Sequence, residues 1–275
     1  MTPTLSPFSA FRIGENAGWS LHDGSFQMPV AAMARGTSLV DLRALAGATI
    51  KPEDQIELQV NVMLLRWAGK LILIDAGCGT AFGPNLGFAA EGLSRLGVAP
   101  EDIHAIVFTH LHLDHVAGAL DLATRTIRFP RARLLALRDE IHFWQQPVPD
   151  LSGTELDAER RSAVVRGMHD ALEIIAPRLE VFAANDSLFP GFTAVPLPGH
   201  TPFHTGFQLE SEGERCVNAG DAFIDPRFHV GHPELSPVSD ALADIGRETR
   251  RNLLARAKRE SLRVFCAHFP VPGFL

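Results

Sequence analysis

The sequence predicts one α/β domain spanning residues 1–275. Three observations carry that prediction. β-rich runs and helical stretches alternate along the chain. No linker, low-complexity segment or fixed-period repeat interrupts them. A composition of 46% hydrophobic and 21% charged residues over 275 positions is enough for one large core.

The elements follow in order. The first third reads as β. "VNVMLLRWAGKLILIDAG" (60–77) is two apolar runs around "AGK", a hairpin signal. "EGLSRLG" is a short helix closed by Gly97, and "DIHAIVFTH" after it is a strand. "ARLLAL" (132–137) is a buried strand, followed by a helix "RDEIHFWQQ" that Pro147 stops. Residues 155–176 carry helical periodicity and end before Pro177. "FTAVPLPGH", "GFQLE" and "RCVNAGD" are short strands joined by turns. Residues 240–260 form a long amphipathic helix, and "SLRVFCAH" is a last strand.

Composition excludes several classes. A net charge of −7 leaves no basic footprint for nucleic acid. Cys78, Cys216 and Cys266 are odd in number and widely spaced, which fits a reducing compartment rather than a disulfide framework. "MTPTLSPFSAFRIG" lacks the basic and apolar regions of a secretory signal, and no apolar run approaches a membrane span. The expected location is the cytoplasm, with no nucleic-acid and no membrane partner; a homodimer is compatible with this reading.

The chemistry gathers where strands end. "THLHLDH" places His110, His112, Asp114 and His115 just past one β-run. His200 follows "LPG", Asp221 follows "NAG", and His268 follows "VFCA". Loops at strand ends are where a rigid sheet positions reactive side chains. Imidazole nitrogens and carboxylates are the donors that Zn²⁺ and similar divalent ions take. His110 and His112 are two apart, so extended backbone points both to one side, while Asp114 and His115 diverge. One metal can take the first pair and a second metal the other. His200 and His268 are candidates to complete the sets, and Asp221 can bridge through its two oxygens. Five histidines and two carboxylates leave each ion an open position for water. A closed structural zinc site would more often use thiolates, and no Cys lies in ligand spacing here.

These stretches resemble the motif series of the metallo-β-lactamase superfamily: "LILIDAGCG", "THLHLDH", "LPGHTPFHTGF", "NAGDAFI" and "AHFPVPG". The resemblance implies a four-layer αβ/βα sandwich with metals at the edge between two sheets. It implies that His110, His112 and His200 bind one ion. Asp114, His115 and His268 bind the other, and Asp221 bridges. Asp114 and Asp221 are the catalytic carboxylates in this reading. Asp75 corresponds to a buried carboxylate that orients the ligand loop, or is a strand-end turn residue. His204 follows His200 but corresponds to no ligand and is expected to hydrogen-bond. Phe82 and Trp144 correspond to aromatics that wall the substrate pocket, or are ordinary packing. Cys78 reads as a buried thiol. His22, His104, His142, His169, His229 and His232 are unclustered and read as surface or core histidines.

Within the superfamily the closest resemblance is to the lactonase and methyl-parathion-hydrolase-like branch, over residues 75–120, "HFW" and "AHFPVPG". Two departures stand out. Phe203 replaces a Gly of the "GHTPGH" pattern, and the sequence given runs only to Leu275 where relatives add a strand. The expected cofactors are two divalent ions, zinc first, with Mn, Co or Fe acceptable to the same donors. The expected reaction is hydrolysis by a water whose pKa the ions lower from about 16 toward about 7. The expected substrate is a small, neutral, apolar lactone or ester, with secondary activity on aryl phosphotriesters. The chain has no tyrosine, so it lacks the phenol that many acyl-homoserine lactonases of this fold place beside the metals. Alternatives are a mononuclear-iron oxidoreductase of the persulfide dioxygenase type, a β-lactamase-like amide hydrolase, and, least supported by an intact ligand set, a non-enzymatic scaffold.

Overall fold

The computed structural model describes residues 6–47 and 54–275. Along the chain run β1 (Phe8–Ile13), β2 (Asn16–Pro29), α1 (Leu39–Ala46), β3 (Gln55–Trp67), β4 (Lys70–Ile74), α2 (Ala89–Arg95) and β5 (Ile103–Val107). Next come α3 (Leu113–Val116), β6 (Leu120–Asp121), β7 (Thr126–Ile127), β8 (Arg133–Leu137), α4 (Arg138–Trp144) and α5 (Ala158–Ile175). The remainder is β9 (Leu179–Phe182), β10 (Ser187–Phe189), β11 (Phe192–Pro196), β12 (Thr205–Ser211), β13 (Glu214–Asn218), α6 (Pro226–His229), α7 (Ala243–Glu260) and β14 (Arg263–Phe265).

Two sheets result. The larger has the order β1-β2-β3-β4-β5-β8-β9 and the smaller β10-β11-β12-β13-β14. The period-two alternation of strands decides how they stack. Val62, Leu64 and Leu73 face outward against Leu93 of α2 and Met168, Leu172 and Ile175 of α5. Their neighbours Met63, Leu65, Ile72 and Ile74 face inward against Phe192, Phe207 and Leu209 of the smaller sheet. The smaller sheet's other face, through Val217 and Val264, is covered by Leu253 and Ala257 of α7. Helices, sheet, sheet and helix give the four layers expected from the sequence.

Local chemistry sets the ends of the elements. The hairpin between β3 and β4 turns on Ala68 and Gly69, both at positive φ (47° and 77°), the backbone that a two-residue turn of matching twist requires. The helix predicted from residue 155 begins at Ala158, where the Asp157 side chain accepts from the Arg160 N–H. The helix predicted from residue 240 begins at Ala243, because Asp240 is instead held by the Ser236 hydroxyl and Arg250. Residues 273–275 return along β14: the Leu275 N–H donates to the Val264 carbonyl, and Phe274 packs edge-on to Phe265 and Phe11.

Two parallel pairings matter for the site: β4 with β5, and β13 with β14. Their carboxyl ends deliver Asp75, residues 109–115, Asp221 and His268 to the same edge of the sandwich. His200 arrives from the turn between β11 and β12. Among the described residues no helix is long and apolar enough to cross a membrane.

α6 is fastened beside this edge by a buried histidine. His229 accepts from the Asp225 N–H through Nδ1 and donates to the Met33 carbonyl through Nε2. Burial lowers its pKa to about 4. The unfolded chain takes up that proton near 6.5, so the stability His229 contributes is present above about 6.5 and is lost as pH falls through 4, at up to about 1.4 kcal/mol per pH unit. His229→Gln therefore costs most stability at pH 7.5 and progressively less at lower pH. Denaturant titrations from pH 7.5 to 5 check this; a constant difference between the two proteins would overturn it.

Candidate metal centre

β5 ends at Val107, the chain bends at Thr109 and His110, and His112 precedes the first turn of α3. His110 and His112 converge from this bend, and Asp114 and His115 leave from the helical turn that follows. His112 Nδ1 lies 3.0 Å from His110 Nε2 and 2.9 Å from His200 Nε2. One imidazole nitrogen carries at most one proton, so hydrogen bonding cannot by itself account for three ring nitrogens meeting at one point. The other His110 nitrogen, Nδ1, lies 3.0 Å from the Thr109 hydroxyl, which itself donates to Asp75. That leaves His110 Nε2 with its lone pair aimed inward.

The second set is Asp114, His115, Asp221 and His268, whose facing atoms lie within 4.8 Å of one another. His115 Nδ1 donates to Asp75 Oδ2 at 2.9 Å, and His268 Nδ1 donates to the Gln59 carbonyl at 2.9 Å. Both Nε2 atoms thus face the cluster. Asp221 stands between the sets. Its Oδ2 is 3.4 Å from His200 Nε2 and 3.2 Å from His268 Nε2, and its Oδ1 is 3.3 Å from His115 Nε2.

His115 Nε2 and Asp221 Oδ1 are buried and have no hydrogen-bond partner. Buried polar atoms are rarely left so, and these two lie among donors of the kind divalent ions take. The residues present therefore fit a metal pair.

Electrostatics divide the sets. Burial pushes His110 well below its ordinary value and His112 down to about 3, so these two offer neutral nitrogens. In the other set burial also opposes charge, yet Asp221 and Asp114 outweigh it and raise His268 to about 10. His115 is raised for the same reason, with Asp75 adding to it. Asp221 is in turn held well below the carboxylate range by His268 and His115, despite burial. An ion entering this set displaces protons.

All seven sequence-predicted ligands converge. Asp75 lies beneath them, accepting from the Thr109 N–H, the Thr109 hydroxyl and His115. His204 is a hydrogen-bonding residue: its Nε2 accepts from the Asp221 N–H, its Nδ1 donates to the Leu197 carbonyl, and burial keeps it near 3. Cys78 is a buried thiol whose pKa burial pushes up. None of His22, His104, His142, His169, His229 and His232 joins either set.

Two expectations about the pocket need correction. Trp144 is fully buried, with its indole N–H donating to Glu140 at 2.8 Å and its ring 5.4 Å from that of His112. It supports the ligand loop from below and offers no surface to a substrate; a helix with aromatics on adjacent faces did not tell which of them turns inward. Phe82 is 50% exposed in the loop between β4 and α2. The surroundings of the metal sets are also less apolar than expected. A cavity of about 400 Å³ reaches His268 and is lined by Glu57, Gln59, Asp225 and Arg227 beside Pro226 and Pro270. Arg227 is paired with Asp225 there.

The sequence reading missed two buried groups. Glu140 accepts from the Leu111 N–H (3.1 Å), the Trp144 indole and the Thr201 hydroxyl (2.7 Å). Asp240, bonded to Arg250 at 3.1 Å, places its Oδ1 3.6 Å from His200 Nδ1. One signal was available for the second. Arg250 sits in the buried stripe Gly246, Arg250, Leu253 and Ala257 of α7, and an Arg inside an apolar stripe needs a buried acid.

The sequence model of the metallo-β-lactamase superfamily matches residues 56–268. The chain belongs to that superfamily. An N-acyl homoserine lactonase of Bacillus cereus is 26% identical over 203 residues, covering 66% of this chain and 70% of its own length. A probable metallo-hydrolase of Mycobacterium bovis is also 26% identical over 203 residues; the match spans 66% of this chain and 60% of that protein. Among solved structures, AidC, a dizinc quorum-quenching lactonase, superposes with a TM-score of 0.92 at 26% identity, covering 98% of this chain and 93% of AidC. The hydrolase AbOPH superposes with a TM-score of 0.89 at 25% identity, covering 98% and 93%.

Because Trp144 fills core rather than cleft, Trp144→Ala is expected to destabilise the fold by about 3–5 kcal/mol. Denaturant unfolding measures this. A loss below about 1 kcal/mol accompanied by a raised KM would restore the pocket-wall role.

Proposed function

We propose that the protein is a dinuclear metal-dependent hydrolase of neutral lactones and esters, with aryl phosphotriesters as secondary substrates. The observation that carries this reading is the position of Asp221, whose carboxylate lies within 4 Å of nitrogens from both histidine sets. A single-ion site has no use for that placement, which is why a mononuclear-iron oxidoreductase is the lesser reading. The dizinc lactonase AidC and the lactonase of Bacillus cereus, as relatives, support the substrate class.

In this reading His110, His112 and His200 would hold one ion, Asp114, His115 and His268 the other, and Asp221 would be shared between them. Divalent ions bound there would supply an acidified water and polarisation of the attacked oxygen. The chain's own groups do the rest. Asp114, whose side chain is 22% exposed, is the carboxylate of its set that solvent reaches, and it orients the attacking water by accepting its hydrogen bond. His204 fixes Asp221 through the backbone, and Asp75 fixes His115. Polar groups beside His268 suit a neutral substrate that carries a polar substituent, such as an amide, better than a purely apolar one.

Metal analysis of the purified protein is expected to give two divalent ions per chain. Steady-state kinetics on an N-acyl lactone, p-nitrophenyl butyrate, paraoxon, a cephalosporin and p-nitrophenyl phosphate are expected to rank lactone and ester first. A single iron per chain, or the phosphomonoester or cephalosporin as best substrate, would falsify the proposal. Asp221→Ala is expected to lose at least one ion and most of kcat; full activity with unchanged metal content would refute the bridging role.

A further inference from the structure

Glu140 is 1% exposed on α4 and is not a ligand of either set. Its Oε1 accepts from the N–H of Leu111, the residue between His110 and His112. Its Oε2 accepts from the hydroxyl of Thr201, the residue after His200. One carboxylate thus ties together the two loops that supply all three imidazoles. Trp144, four residues on along α4, donates to Oε1 and holds the carboxylate in place. Every hydrogen-bond donor to Glu140 is neutral: a backbone N–H, a hydroxyl and an indole. Asp240, the other buried acid near His200, differs, because Arg250 compensates it.

Burial raises the Glu140 carboxyl above its ordinary value against the pull of these three hydrogen bonds, and a cation bound nearby would favour its charged form. Histidine binds a metal through an uncharged nitrogen, so a cation held by these three imidazoles would find only Asp221 as a charged ligand. We infer that Glu140 is the positioning residue of the three-histidine set, joining its two loops and adding a negative charge behind ligands that carry none. This rests on the reading that the set holds a divalent ion. It adds that affinity at this set, and not at the Asp114 set, is governed from α4. Groups just outside a metal's ligands commonly change affinity by 10–100-fold.

The test is zinc competition against a chromophoric chelator, using the zinc-loaded protein and its Glu140→Gln variant. The amide retains an oxygen for Leu111 and Trp144 and can still meet Thr201, but it carries no charge. One zinc is expected to bind about tenfold or more weakly, with the other unchanged. The metal-free variant is expected to melt at or above the wild-type temperature, since an uncompensated buried charge is gone. A merely structural role would lower that temperature and leave zinc affinity alone. Should the Gln variant not fold, Thr201→Val cuts the tie on the His200 side only and is expected to weaken the same ion by a smaller factor. Unchanged zinc affinity in the variant tested, or equal weakening of both ions, would overturn the inference. Two zinc ions in the wild type with no effect of the variants refutes the role of Glu140 alone. If the wild type holds one zinc, the dinuclear reading falls, and the variant's effect on that ion still decides the role of Glu140.

Discussion

The carboxylate of Asp75 is the constraint on which the rest of the centre depends. It sits at the end of β4 with φ at +61°, a conformation that costs a non-glycine residue about 1 kcal/mol or more. Three donors converge on it: the Thr109 N–H, the Thr109 hydroxyl and His115 Nδ1. Thr109 Oγ1 in turn contacts His110 Nδ1. One buried group therefore fixes the tautomer and orientation of an imidazole in each set. The parallel pairing of β4 with β5 makes this arrangement available, because it brings residue 75 beside residue 109.

The same economy recurs around the site. Each imidazole that points its Nε2 inward has its Nδ1 committed or directed elsewhere. His115 is held by Asp75, His268 by the Gln59 carbonyl, His110 by Thr109, and His200 faces Asp240. Close backbone approach completes the frame. Gly220 has φ +48°, and a Cβ there would lie 2.7 Å from His204 Nε2 and 2.9 Å from Thr109. A side chain at 220 would push His204 off the Asp221 N–H, so the glycine is as necessary to Asp221's position as the histidine is.

The legibility of these features in the sequence follows from how each interaction is encoded. The ligands were readable because four of them lie within six consecutive positions and the others each follow a β-run. The four layers were readable only through the family resemblance: β3, β4 and β8 are near-continuous apolar runs, because each strand's two faces meet different buried partners, and such runs do not say which layers cover them. Trp144 was misread because position in a helix does not reveal which neighbour covers it. Glu140 gave no signal, since a lone acid in a short helix is most often solvated. The partners of Glu140 at 111 and 201 are supplied by loops distant in sequence, and only folding brings them to it. Asp240 was missed for the same reason, although its partner Arg250 interrupts an apolar stripe.

Charge distribution explains why the two buried acids behind the histidines are treated differently. The Asp114 set contains its own anion and, before any ion enters, balances it with protons on His115 and His268. In the three-histidine set burial holds His110 and His112 below their ordinary value, and the carboxylate at hand is Asp221. Arg250, buried to 1% exposure, pairs with Asp240 Oδ2 and leaves Asp240 Oδ1 3.6 Å from His200 Nδ1. Glu140 has no cationic partner of this kind and reaches the set through the Leu111 N–H and the Thr201 hydroxyl rather than through an imidazole.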